Sequence, residues 1–219
     1  MILVSEELRD FYQPKLKNTK CIYIPNTIDS IPKYIKKKNI NNKLVSIGRL
    51  SKEKGFLDLI DIMNIVKKEI PNVKLDIYGD GVEKSLYEEK IKKYNLTSNI
   101  KLLGFYPNDK LLNKLDEYDL YLMTSYTESF GLVLIESMSR SLCCLAFDSA
   151  NGAKNLLKDG NGILIKERNK EEYAKAIINL LNNKDKLNKI SQDGYNYSLQ
   201  YDIKNVKEQW LELFDNIKK

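Results

Sequence analysis

Two glutamates eight positions apart, Glu128 and Glu136, enclose the turn Ser129-Phe130-Gly131-Leu132. Carboxylates accept hydrogen bonds from hydroxyl groups, so such a pair suits a polyhydroxylated ligand such as a ribose or a hexose. The spacing predicts a strand over 119–123 that enters the turn and a helix from about 131 to 140 that leaves it. At that helix start the amides of Phe130, Gly131 and Leu132 lack an intrahelical acceptor, and the helix dipole favours an anion in front of them. A second loop, running from Gly48 and Arg49 to Lys54 and Gly55, follows another predicted strand and carries cations. Gly48 permits a tight turn, the Arg49 guanidinium matches phosphate oxygens as a fork, and Lys54 adds a point charge ahead of the next helix. Cations on one side, two carboxylates on another and an amide-rich turn between them suit a diphosphate flanked by sugar rings. The plainer alternative is a surface ion pair between Glu136 and Arg140, four positions apart, with Glu128 serving helix entry.

The elements that must position these residues alternate. Strands are expected over 44–47, 73–78, 100–103, 119–123, 142–147 and 162–165, and helices over 56–69, 82–94, 109–117, 131–140, 153–158, 170–182 and 185–199. Short apolar strands alternating with helices predict an α/β fold, a Rossmann-like parallel sheet with helices on both faces. Ligands of such sheets bind at the carboxyl ends of strands near the switch in strand order, so the loops after Ile47, Tyr78, Leu103, Met123 and Phe147 should share one rim. Residues 1–25 read as strand, helix and strand, with Ser5 capping a helix that runs to about 17. Such a fragment cannot bury both faces of a sheet, so we expect it to be the remnant of an upstream domain. Residues 27–42 read as a polar linker. A last helix over 203–218 carries Val206, Trp210, Leu213, Phe214 and Ile217 on one face, suited either to its own domain or to a crossing back onto a missing one. The expected division is 1–25, 26–199 and 200–219.

Composition narrows the chemistry. The 219 residues, 42% of them hydrophobic, can bury a sizeable core. The absence of histidine excludes His-based triads, His general bases and His-ligated zinc, and we expect neither metal nor cofactor. The cysteines, Cys21, Cys143 and Cys144, are odd in number and form no Cys-x-x-Cys, which predicts buried thiols in a reducing compartment. No signal peptide is read at the N-terminus, and no apolar run approaches the ~20 residues needed to span a bilayer. The expected location is cytoplasmic, with peripheral contact at the inner membrane face through basic residues as a further expectation. The net charge of +6 rests on abundant lysine and only four arginines, so a single arginine carries more weight than a lysine. No basic stripe with interleaved aromatics points to nucleic acid.

The rim holds weaker signals. Gly79-Asp80-Gly81 lacks the third glycine of a dinucleotide fingerprint, because Lys84 stands there, and reads as a glycine turn between strand and helix. Gly104-Phe105 has the same status. The loop after Phe147 is built of small residues, and its Lys154 is within reach of a phosphate.

As an ordered set these motifs carry a resemblance. Val4-Ser5-Glu6 and Ile24-Pro25-Asn26, Gly48-Arg49 with Lys54-Gly55, Gly79-Asp80-Gly81, and Glu128-Ser129-Phe130-Gly131 through Glu136 match, in order and spacing, the C-terminal half of retaining glycosyltransferases of family 4. The resemblance covers nearly all of the chain and implies one half of the two-domain GT-B fold. It implies a hexosyltransferase that draws on a nucleotide sugar, UDP-linked, and builds a surface polysaccharide or glycolipid without a metal. Arg49 and Lys54 would then bind the donor diphosphate and stabilise the departing nucleotide. Glu136 would hold ribose hydroxyls, and Glu128 would lie beside the donor sugar. Gly48, Ser129 and the amides of Phe130, Gly131 and Leu132 would complete the donor site, with Glu128, Arg49 and Lys54 as the catalytic set. The acceptor, a saccharide or lipid-linked one, would draw its contacts from an N-terminal domain, separate or missing, so this chain alone should transfer weakly or not at all. Asn155 stands where the family usually has an acidic residue. Two other readings are a non-catalytic nucleotide-sugar module working with a partner subunit, and a GT-B sugar-nucleotide epimerase.

Overall fold

The computed structural model describes residues 1–217. Its N-terminal unit pairs strand β1 (Ile2–Leu3) in parallel with β2 (Ile22–Tyr23), with helix α1 (Glu6–Tyr12) between them. Ser5 caps α1 by accepting the Leu8 N–H at 3.2 Å. The helix stops short of the expected residue 17 because Pro14 follows and forces a tighter single turn, Gln13–Lys15. Met1, Ile2 and Phe11 remain exposed, so this unit leaves apolar surface unburied.

The main sheet has six parallel strands, β3 (Lys43–Ile47), β4 (Lys74–Tyr78), β5 (Ile100–Gly104), β6 (Leu120–Met123), β7 (Cys143–Phe147) and β8 (Ile163–Ile165), in the order β5-β4-β3-β6-β7-β8. The helices are α2 (Phe56–Glu69), α3 (Lys84–Lys93), α4 (Asn108–Lys114), α5 (Leu132–Ser139), α6 (Asn151–Leu157), α7 (Lys170–Leu181), α8 (Lys184–Ser198) and α9 (Ile203–Ile217). The expected strands thus lie within about one residue of where the sequence put them. The reason is that parallel strands buried on both faces read as short continuous apolar runs. On β7 the side chains of Cys143, Leu145 and Phe147 enter the core under α2 and α7, while Cys144 and Ala146 enter the opposite core under α5 and α6. All three cysteines are buried and free, and burial pushes the Cys143 thiol up to about 12. The fully buried leucines and isoleucines of these strands each contribute about 1.5–3 kcal/mol.

Chain order sends β4 and β5 outward on one side of β3, then returns to place β6 on its other side. The loops after β3 and β6 therefore diverge at the carboxyl edge and leave a crevice.

Residues 27–42 hold no regular strand or helix, yet they are not a loose linker. The Tyr34 hydroxyl donates to the Asn188 carbonyl at 2.9 Å, the Ile35 N–H to Ser141 Oγ at 2.9 Å, and the Lys37 ammonium to the Asp116 carbonyl at 2.7 Å. The buried Asp119 carboxylate accepts the N–H groups of Asn41 and Lys43. Polar side chains do the packing here, which an apolar pattern cannot reveal.

The two outer segments of the chain run side by side. The Ile28 N–H donates to the Tyr201 carbonyl at 3.0 Å and the Ile203 N–H to the Ile28 carbonyl at 3.1 Å. From there α9 buries Val206 and turns Leu213 toward a cavity of about 850 Å³ shared with Ile2, Ile22 and Ile24. It thus faces the N-terminal unit, while Phe214 is half exposed. The expected helix end at Lys218 and the packing of Ile217 lie outside the described residues. No described helix is long and apolar enough to cross a membrane.

Candidate functional site

The crevice between β3 and β6 brings the two charged loops together. After β3 the chain turns at Gly48, whose N–H donates to the Tyr78 carbonyl at 3.0 Å. A single tight turn over Lys52–Lys54 then leads to Gly55, at φ 65°, and into α2. Lys54 folds back over Gly48, where a Cβ would stand 3.4 Å from the lysine Cδ. Its ammonium reaches Glu128 Oε2 at 2.8 Å, with both side chains about one quarter exposed. Two further bonds tie the loops: Thr124 Oγ1 donates to the Lys54 carbonyl at 3.1 Å and the Tyr126 N–H to the Glu53 carbonyl at 2.8 Å.

The turn that carries Glu128 is fixed from three sides. Gly152 approaches so closely that a Cβ there would stand 2.7 Å from Phe130 backbone, and its N–H donates to the Glu128 carbonyl at 2.8 Å. Phe130 is buried edge-on against Tyr201, with ring centroids 5.8 Å apart. Gly131 adopts φ 90° and starts α5 without a side-chain cap. The amides of Phe130, Gly131 and Leu132 have no acceptor among the described residues, so they stand as donors at the helix start. Ser129 is exposed and borders two adjoining cavities of about 350 and 280 Å³. Glu7, Asn151 and Asn155 border them as well, whereas Lys154 is exposed on α6 and borders neither.

Among the described residues, Arg49 and Glu136 form no hydrogen bond or ion pair with Lys54 or Glu128. Arg49 is exposed at the turn and forms no ion pair with a described residue. Glu136 is half-buried one turn into α5 and accepts a hydrogen bond from Asn108 Nδ2 at 3.0 Å. It forms no ion pair with Arg140, the residue that caps the end of α5.

The glycines after β4 serve the same loops. A Cβ on Gly79, at φ 138°, would collide with the Gly48 carbonyl oxygen, and one on Gly81 with that of Leu50. The Leu50 N–H donates to the Asp80 carbonyl at 2.9 Å. Gly79-Asp80-Gly81 is therefore a close-approach turn that buttresses the Arg49 loop.

One arginine that the sequence reading passed over lies at the centre of the rim. Arg168 Nη2 reaches Asp58 Oδ2 at 2.6 Å and the Thr124 carbonyl at 2.9 Å, and Nη1 reaches Ser149 Oγ at 2.9 Å. Lys170 bridges Asp58 and Asp61, and Lys90 pairs with Asp61 at 2.6 Å. Burial alone would raise the carboxyl of Asp58, but the bonds from Arg168 and Tyr126 outweigh it and hold it below the usual carboxylate range. The signal was available: arginine is scarce in this chain, and the weight given to Arg49 applied equally to Arg168.

Residues 28–197 match the family of group 1 glycosyl transferases. The chain is 29% identical over 95% of its length to a poly(glycerol-phosphate) alpha-glucosyltransferase of Bacillus subtilis, of which it covers 31%. It is 30% identical over 87% of its length to the GtfA subunit of a UDP-N-acetylglucosamine–peptide N-acetylglucosaminyltransferase of Limosilactobacillus reuteri, of which it covers 38%. Its structure is similar to that of TarM from Staphylococcus aureus, solved with fondaparinux, alpha-GlcNAc-glycerol and UDP, with a TM-score of 0.86 and 27% identity over 97% of this chain and 43% of TarM. It is equally similar to the pneumococcal O-GlcNAc transferase GtfA, solved with UDP and GlcNAc, with a TM-score of 0.86 and 27% identity over 99% of this chain and 44% of GtfA. The fold is thus the Rossmann-like half of the GT-B arrangement, and the chain spans less than half the length of these four proteins. With most of its length matched by the family model, the chain belongs to the group 1 glycosyl transferases.

Proposed function

We propose that this chain is the donor-binding half of a retaining, family 4 hexosyltransferase that takes its sugar from a UDP-linked donor for a polysaccharide or glycolipid acceptor. The observation that carries the reading is the Lys54–Glu128 pair in the crevice at the strand-order switch, beside unpaired amides at the start of α5. UDP is favoured because the similar TarM and GtfA structures both contain it.

In this reading Arg49 and Lys54 hold the diphosphate, and the amides of Phe130, Gly131 and Leu132 add donors toward it. Glu136, oriented by Asn108, takes the ribose hydroxyls, and Glu128, with Ser129 beside it, takes those of the sugar. When the bond between the anomeric carbon and the diphosphate breaks, negative charge grows on the leaving phosphate. Fixed cations and amides stabilise that charge without reorganising. The acceptor oxygen forms the new bond on the face the diphosphate leaves and passes its proton to it. No covalent glycosyl-enzyme is involved. Residues 1–25 then belong to the acceptor side, 26–199 to the donor domain, and 200–219 to a helix that returns toward the first. Donor binding, rather than transfer, is the activity to measure on these 219 residues.

Calorimetric titration with UDP and with uridine tests the reading through Arg49→Ala. The substitution should weaken UDP about tenfold or more, as the loss of a charged hydrogen bond does, and leave uridine unchanged. Equal losses for both ligands would remove Arg49 from a diphosphate site.

A further inference from the structure

Arg168 bonds residues of several rim elements at once. It follows β8 in a turn where Glu167 and Arg168 both adopt left-handed backbone, at φ 53° and 50°. Neither residue type favours that conformation, so something outside the backbone holds the turn. The guanidinium supplies it. Its carbon lies 3.7 Å from the centroid of the Tyr126 ring and 4.4 Å from that of Phe147. In its plane Nη1 donates to the Ser125 carbonyl at 3.2 Å and to Ser149 Oγ at 2.9 Å, while Nη2 donates to the Thr124 carbonyl and to Asp58. Gly55 passes close beneath it, with a would-be Cβ 3.1 Å from Nη2.

These partners lie on α2, at the end of β7, and in the loops after β6 and β7. Two of them bond the loop that carries Lys54. Thr124 bonds the Lys54 carbonyl through its hydroxyl, and Tyr126 bonds the Glu53 carbonyl through its N–H. Arg168 itself touches neither Lys54 nor Glu128.

We propose that Arg168 is a positioning residue, a clamp that fixes the Thr124–Tyr126 segment and thereby sets Glu128 at the sugar end of the donor site. A lysine cannot replace it. An ammonium has no planar fork to reach two carbonyls and a hydroxyl at once, and no flat face for two rings. The nucleotide end of the site, with Arg49 and Glu136, lies outside its contacts. The clamp therefore governs the gain in affinity from UDP to a UDP-sugar more than the affinity for UDP itself.

The test uses Arg168→Gly, which accepts the left-handed backbone and removes only the clamp, and Arg168→Lys, which keeps the charge opposite Asp58. Hydrogen exchange read by mass spectrometry should show protection over 124–126 falling about tenfold or more in both variants, with α3 unchanged. In titrations the ratio of UDP-sugar to UDP affinity should collapse toward unity in Arg168→Gly and recover little in Arg168→Lys, while UDP affinity falls by less than UDP-sugar affinity. Protection retained over 124–126, an even loss across the chain in both variants, or a lysine variant that matches the wild type would overturn the assignment. The affinity readout rests on the nucleotide-sugar reading. The exchange readout does not, so wild-type protein that ignores UDP while the variants lose protection would strike that reading and leave the clamp standing.

Discussion

Lys54 Nζ stands 2.8 Å from Glu128 Oε2, although 74 positions separate the two residues in the chain. They come from loops on the two strands that flank the switch in strand order, so the fold, not local sequence, makes the pair. In the proposed reading, a donor diphosphate entering the crevice would compete with Glu128 for the ammonium and release the carboxylate toward the sugar.

That competition gives opposite expectations for the two partners. Lys54→Ala should weaken UDP about 10- to 100-fold, the loss of a charged hydrogen bond worth ~1.5–3 kcal/mol. Glu128→Gln frees the ammonium, so UDP should bind as well or better while the added affinity of a UDP-sugar disappears. Calorimetric titration of both variants with both ligands checks this. A loss of UDP affinity in Glu128→Gln would mean that the carboxylate organises the nucleotide end as well.

Glu136 leans on Asn108 rather than on Arg140. Glu136→Ala should cost UDP binding about tenfold or more, and Asn108→Ala a smaller part of that, because it only orients the carboxylate. Far-ultraviolet dichroism and the unfolding midpoint should stay near wild type in both. If Asn108→Ala loses more than Glu136→Ala, then Asn108 itself contacts the ligand.

The acidic network on α2 predicts a pH dependence of stability. Asp58 and Asp61 are held below the usual carboxylate value, because bonds from Arg168, Tyr126, Lys170 and Lys90 outweigh the opposing effect of burial. The native state therefore binds fewer protons than the unfolded state in that range. Their contribution is fully present above pH ~4 and is lost as the pH falls through the lowered native values. Urea unfolding of wild type and Asp58→Asn should show a gap of about 1–3 kcal/mol at pH 7 that closes toward pH 3. A gap that stays constant over this range would show that packing, not charge, supplies the difference.

The Gly79 turn predicts a loss larger than backbone strain alone. Gly79 and Gly160 both have positive φ, but a Cβ on Gly79 collides with the Gly48 carbonyl while one on Gly160 meets nothing within 4 Å. Gly160→Ala should cost about 1–2 kcal/mol, the ordinary left-handed penalty. Gly79→Ala should cost clearly more and should also weaken UDP, because the Arg49 loop has to move. Equal losses in denaturant unfolding would reduce Gly79 to a simple turn residue.

The sheet was legible because strands buried on both faces leave short continuous apolar runs, and Cys143-Cys144-Leu145-Ala146-Phe147 is the plainest case. Of the expected site residues, the fold brings Gly48, Arg49, Lys54 and Glu128 into the loops after β3 and β6 and sets Glu136 one turn into α5; their role as a donor site is our proposal. What escaped was what side chains do across the fold. Residues 27–42 read as a linker because their packing is polar. Glu136 and Arg140 suggested a helical pair because the sequence hides that Glu136 takes its partner, Asn108, from another helix. Arg168 escaped because its role depends on two left-handed residues and on rings brought from Tyr126 and Phe147, none of which a periodicity records.

The most direct measurement is thermal unfolding of this chain against UDP, GDP, ADP and their sugars, with Glu136→Ala alongside. Ligand at ~100 times its dissociation constant adds about 2.7 kcal/mol, a midpoint shift of roughly 5–10 °C for a chain of this size. A shift of that order with UDP and one UDP-sugar, abolished in Glu136→Ala, is the expected result. No shift with any nucleotide, or a shift that Glu136→Ala leaves intact, would contradict a donor site in the crevice between β3 and β6.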